Sequence, residues 1–261
     1  MPFKNYIKHE WKHFISSLNC FGRKYLLSAL LDIVFYTIIF AIIYFYAGYM
    51  QQTLIAFQEK GVFELFNKNI DALAPGEIDR AVSDTSSLYT SVIALTLTVI
   101  ILILILFSLF KGLIYAILLD KRFTARFYLK FLSAALIWLI FWLLIFTFIA
   151  NFIRLELRIY FNIASLMLML YTAGILFTAY AIYEKIGACF RHAFNLLKRT
   201  HLFIFPYLLI ILALIVLNLL SIMLRLMPDL AAAIISFIIT VFFLSWSRIY
   251  VISIVKRALG R

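Results

Sequence analysis

Residues 88–110 read LYTSVIALTLTVIILILILFSLF, and the lysine at 111 closes the run. No charge interrupts it, and its apolar residues occupy every face rather than one stripe. A helix that is hydrophobic all round is a buried or membrane-spanning helix. At about 1.5 Å per residue, the run covers the roughly 30 Å hydrocarbon core of a bilayer. A barrel strand would be about ten residues long with strict alternation, and that alternation is missing here.

Five further runs have the same character: residues 25–50, 131–152, 159–183, 202–224 and 230–255. The links 153–158 and 225–229 are too short for anything but antiparallel hairpins. The sequence therefore predicts an all-α fold, a polytopic membrane bundle of six transmembrane helices with amphipathic interfacial helices. It reads as one membrane domain over 1–261, with an N-terminal interfacial helix over 1–24. A long acidic loop over 51–87 and basic amphipathic links over 111–130 and 184–201 complete the organisation. Composition agrees: 66% of residues are hydrophobic and 14% charged, against about half and a quarter in soluble domains. The first apolar run is too long for a cleavable signal peptide and lacks a small-residue cleavage site, so it is read as a retained span.

The charges orient the chain. The N-terminal tail carries Lys4, Lys8, Lys12, Arg23 and Lys24. The second link carries Lys111, Lys121, Arg122, Arg126 and Lys130, and the fourth Lys185, Arg191, Lys198 and Arg199. The C-terminal end carries Arg248, Lys256, Arg257 and Arg261. These are 18 of the 24 lysines and arginines, leaving six for the opposite loops. Positive residues collect on the cytoplasmic side, so both termini are expected there, in a multi-pass protein of the cell membrane. The acids Glu59, Glu64, Asp71, Glu77, Asp79 and Asp84 gather in the loop 51–87, where Val62, Phe63, Phe66 and Ile70 have helical spacing and Pro75-Gly76 reads as a turn. One or two short helices lying on the outer surface are expected there.

The net charge of +12 sits between apolar runs, which suits anionic lipid headgroups rather than nucleic acid. Headgroup contacts are assigned to Lys4, Lys8, Lys12, Arg191, Lys198 and Arg199. Phe3, Ile7, Trp11, Phe14 and Ile15 form the apolar face of the N-terminal helix. Each hairpin follows a basic amphipathic stretch, a threefold pattern in which Trp11-Lys12-His13 matches Phe190-Arg191-His192. A protein partner or a second copy of the chain is the remaining partner class.

Charges inside spans mark sites by default. Asp32 in the first span and Arg248 in the last lie at similar depth, and Lys111 at the edge of the second can reach them, which points to an intramembrane charge pair. His9-Glu10-Trp11-Lys12-His13 spells H-E-x-x-H, in which His9 and His13 would bind zinc with Glu10 as base. Lys12 between the ligands opposes that chemistry. No third ligand is marked out; Asp120, Glu184, His192 and His201 are the available groups. The favoured reading of the stretch is the polar face of a surface helix, with no cofactor and no enzymatic activity. Cys20 and Cys189 both fall on the cytoplasmic side, where a disulfide is not expected. Asn162 and Asn218 are expected to form interhelical hydrogen bonds, Pro206 to kink the fifth span, and the small-residue stripes Ala232/Ser236/Thr240 and Gly174/Thr178 to allow close helix approach.

The stretch Gly187-Ala188-Cys189-Phe190-Arg191-His192-Ala193-Phe194-Asn195-Leu196-Leu197-Lys198-Arg199, running into an apolar span, resembles the membrane domain sometimes fused to glycerophosphodiester phosphodiesterases, and related six-span prokaryotic membrane proteins. The resemblance implies a helical membrane domain. It implies no phosphodiesterase activity, because the catalytic domain has no counterpart in this sequence. A looser similarity is to six-span transport permeases with an N-terminal interfacial helix.

Overall fold

A segment in hydrocarbon must satisfy its backbone hydrogen bonds internally, and long runs of leucine, isoleucine and phenylalanine do so as helices. The computed structural model has that form. It describes residues 11–12, 14–17, 22–59, 75–198, 201–223 and 229–260. The helices are α1 (Arg23–Glu59), α2 (Pro75–Leu118), α3 (Ala125–Phe152), α4 (Leu155–Tyr183), α5 (Ile186–Leu197), α6 (His201–Met223) and α7 (Asp229–Ala258). All but the short α5 are long and apolar enough to cross a membrane.

Several boundaries differ from the sequence expectation. Helix α1 runs on to Glu59 and α2 begins at Pro75, so residues 51–59 and 75–87 of the expected loop continue the two spans, while Val62, Phe63, Phe66 and Ile70, expected on a surface helix, lie outside the described residues. Proline lacks the N–H that a first helical position leaves unused, which is why Pro75 opens a helix instead of making a turn. Helix α2 continues to Leu118 and α3 starts at Ala125, so the link expected over 111–130 contracts to a turn. The middle copy of the threefold pattern is therefore no separate amphipathic helix. The turn is tightly specified. Asp120 adopts a left-handed backbone, φ 56°, and the Lys121 N–H donates to the Ala116 carbonyl at 2.8 Å, closing α2. Thr124 then caps α3, its hydroxyl accepting from the Phe127 N–H at 3.2 Å. Helix α4 ends similarly at left-handed Glu184, φ 54°.

The chain divides into two units, residues 1–34 with 107–261, and residues 35–106. In the first unit, the buried residues of α4, α6 and α7 fall at one end: Ile175–Ile182 on α4, Phe203 and Leu209 on α6, Val241–Val255 on α7. An aromatic cluster fills this end. Phe131 stacks on Phe177 at 5.1 Å and meets Tyr180 edge-on at 5.5 Å, and the Tyr180 hydroxyl donates to the Phe127 carbonyl at 3.0 Å. Gly174 marks a close approach, since a Cβ there would lie 3.0 Å from the Tyr207 hydroxyl and 3.1 Å from Val251 Cγ1. That half of the small-residue expectation holds. The expectation for Asn218 does not: its amide donates to Leu214, four residues back on its own helix, because an exposed amide facing lipid finds its nearest acceptor within the same helix. Pro206 lies inside α6, where its ring removes one backbone donor.

The second unit is the far part of the first hairpin. Tyr46 and Thr96 share a hydrogen bond of 2.9 Å between α1 and α2, and Phe40, Tyr44 and Phe45 are largely exposed. An open groove of about 850 Å³ has Tyr44, Phe45, Tyr46, Tyr49, Leu95 and Val99 among its walls.

Candidate functional site

Asp32 stands nine residues into α1, Lys111 seven before the end of α2 and Arg248 ten before the end of α7. At about 1.5 Å per residue, all three lie roughly 10–15 Å from helix ends on one side of the bundle. The structure brings them together. Lys111 Nζ donates to Asp32 Oδ1 at 2.5 Å. Arg248 takes both oxygens, Nη2 to Oδ1 at 3.1 Å and Nη1 to Oδ2 at 2.9 Å. Two-pronged guanidinium–carboxylate pairing of this kind fixes orientation as well as charge.

Two serines complete the arrangement, and neither was singled out from sequence. Ser245 Oγ donates to Asp32 Oδ2 at 2.7 Å, and Ser28 Oγ accepts from Arg248 Nη1 at 3.3 Å. The signal existed: Ser28 precedes Asp32 by four residues and Ser245 precedes Arg248 by three, the spacings that share a helix face. Asp32 is fully enclosed, while the Lys111 and Arg248 side chains are 7% and 11% exposed. One carboxylate thus joins α1, α2 and α7. Removing such a carboxylate alone would take the shared acid from two buried cations, the costly case for a buried ion pair.

Charges at the helix ends are exposed and pair differently. Lys24 holds Asp120 with hydrogen bonds of 2.5 and 2.6 Å, which lower the pKa of this open carboxyl below its ordinary value. Lys121 holds Glu184 at 2.7 Å. Two of the candidate metal ligands are thereby engaged by lysines. His192 stacks on Tyr183 with ring centroids 4.1 Å apart. His9, Glu10 and His13 lie outside the described residues, and among the described residues no group of three or more His, Cys, Asp or Glu could hold a metal ion.

Of the assigned headgroup contacts, Lys12, Arg191 and Lys198 are exposed, whereas Lys4, Lys8 and Arg199 lie outside the described residues. Near the N-terminus, Phe14 meets Trp246 and Tyr250 edge-on at 5.3 and 5.7 Å, and Trp246 Nε1 donates to Ser17 at 3.2 Å. The N-terminal helical stretch is therefore fastened to α7, while Trp11 and Ile15, each 47% exposed, keep the outward apolar face. In the stretch that carries the family resemblance, Cys189, Ala193 and Leu196 form the buried side of α5. Cys189 is a free, buried thiol whose pKa burial pushes up to about 12.

No protein-family model, curated protein sequence or solved structure matches the chain. The six apolar helices define the class: this is an integral membrane protein.

Proposed function

We propose that the protein is a non-enzymatic scaffold or accessory factor working within the cell membrane, with both termini cytoplasmic and its basic face resting on anionic headgroups. The observation that carries the reading is Asp32. It is the acid most deeply enclosed among the described residues of the spans, and the protein's own groups occupy both of its oxygens. A carboxylate so engaged pins helices together, a structural task, and holds no lone pair open to a transported solute. Topology rests on the excess of lysine and arginine in alternate loops.

The test is purification in mild detergent followed by mass spectrometry of bound proteins, lipids and metals. A scaffold should bring down a protein partner in fixed ratio and carry no metal. Zinc near one per chain, lost in His13→Ala, would instead establish the H-E-x-x-H stretch as a metal site.

One observation favours a second reading, a permease or transport subunit. The groove in the first hairpin is walled by apolar and aromatic side chains, with Gln51 and Gln52 at its polar margin, which suits an apolar solute. Flux of such a solute in reconstituted vesicles, abolished by a bulky residue at Gly48, would favour transport over the scaffold.

A further inference from the structure

The groove in the first hairpin changes character along its length. Its lining on α1 begins at Ile42 and ends at the amides Gln51 and Gln52, about 15 Å further along the helix. Leu95 and Val99 of α2 add apolar wall. The volume of about 850 Å³ falls within the roughly 300–1,000 Å³ of ligand sites. No neighbouring atom lies within 4 Å of a Cβ built on Gly48 in that lining. A groove apolar at one end and hydrogen-bonding at the other matches an amphiphile aligned along the helix, as a bilayer lipid is.

Two features restrict the head of that amphiphile. None of the lining residues is charged, and the next charge on α1 beyond Gln52 is the acid Glu59. A phosphate, in an anionic or a zwitterionic head, would find no cation in the lining to meet it. Tyr46 supplies the second feature. Its part-buried hydroxyl shares a 2.9 Å hydrogen bond with Thr96 Oγ1. Thr96 has one hydroxyl proton and gives it to the Val92 carbonyl at 2.7 Å, so Tyr46 is the donor between the two. The Tyr46 oxygen therefore keeps lone pairs that no donor among the described residues reaches. Phosphate and ionised carboxylate oxygens only accept and cannot serve it, whereas an alcohol can. The amides of Gln51 and Gln52 both donate and accept, which suits a head bearing several hydroxyls.

We propose that the groove holds an uncharged glycolipid, its chain against Ile42, Leu95 and Val99, one sugar hydroxyl donating to Tyr46 and others meeting Gln51 and Gln52. With both termini cytoplasmic, the amide end of the groove faces the outer leaflet. The inference rests on the groove that motivates the second reading, and not on flux through it, since a scaffold can carry a resident lipid equally well.

The test places the full-length protein in phosphatidylcholine nanodiscs with a trace of galactosyl diacylglycerol that carries a photoreactive group in its acyl chain. Light should couple the probe to residues 42–52 and 95–99, mapped by mass spectrometry, and unlabelled galactosyl diacylglycerol should compete saturably. Tyr46→Phe removes one hydrogen bond to the sugar and should raise the competitor's apparent Kd about fivefold. Thr96→Val breaks the same bond between the helices but keeps the Tyr46 oxygen, and should leave that Kd unchanged. Gly48→Leu, whose side chain enters open space, should abolish the coupling. Equally strong coupling by phosphatidylcholine or phosphatidylglycerol probes, coupling only elsewhere on the protein, or equal effects of Tyr46→Phe and Thr96→Val overturns the inference. So does a Gln52→Cys chain that crosslinks to a second copy across the groove. Flux of an apolar solute without glycolipid coupling sinks the inference and spares the transport reading; coupling without flux does the reverse.

Discussion

Replacing Asp32 should damage the protein far more than replacing either of its cationic partners. Asp32→Asn keeps the size of the side chain but leaves Lys111 and Arg248 facing each other with no carboxylate between them. Breaking a buried pair in this way costs about 3–5 kcal/mol. Arg248→Gln and Lys111→Met differ in kind, because each leaves Asp32 paired with the other cation. Each forfeits charge-assisted hydrogen bonds worth about 1.5–3 kcal/mol, less than the loss of the carboxylate that both cations share. Arg248→Gln should be the worse of the two, since Arg248 also donates to Ser28. The assay is reversible unfolding of the purified protein by titration with a denaturing detergent, for the three single variants and for Asp32→Asn combined with Lys111→Met. The double variant should be more stable than Asp32→Asn alone, a non-additivity expected only of groups in contact. Equal losses for Asp32→Asn and Arg248→Gln, or simple addition in the double variant, would refute the reasoning.

Two further expectations follow from packing and burial. Gly174→Ala forces a Cβ within 3.1 Å of Tyr207 and Val251 and should cost about 1–3 kcal/mol as an overpacked contact; Gly48→Ala meets nothing within 4 Å and should be neutral or stabilising by about 0.5–1 kcal/mol through helix propensity, both read in the same unfolding titration. Cys189 should resist alkylation, because the thiolate is the nucleophile and burial holds its pKa near 12. In a Cys20→Ser background, maleimide should label Cys189 at pH 8 only after denaturation, and the native rate should climb with pH without levelling below pH 10.

The number, type and rough placement of the spans were legible in the sequence, because a twenty-residue run without charge has few physical alternatives. So was the meeting of Asp32, Arg248 and Lys111: a charge in hydrocarbon must find a partner, and depth along each helix restricts the choice. Helix ends were less legible. Polar residues such as Gln51 and Gln52 signal a loop by composition, yet a helix that has left the hydrocarbon can continue through them, as α1 does to Glu59. The serines of the cluster were overlooked because serine is common in spans and only rotational register separates Ser28 and Ser245 from those that bond their own backbone. Asn218 misled for a related reason. Its amide reads as a link between helices, but the choice between a neighbouring helix and its own carbonyls depends on packing that one chain's pattern does not carry.

The central claim is six crossings, and site-directed labelling tests it directly. Single cysteines at Asp79, Lys121, Arg154, Lys198 and Asp229, in a chain lacking Cys20 and Cys189, would be exposed to an impermeant thiol reagent on intact cells and on inverted membrane vesicles. Six spans with cytoplasmic ends require positions 79, 154 and 229 to label on intact cells, and positions 121 and 198 only on inverted vesicles. Any two consecutive positions labelling from the same side would contradict the account.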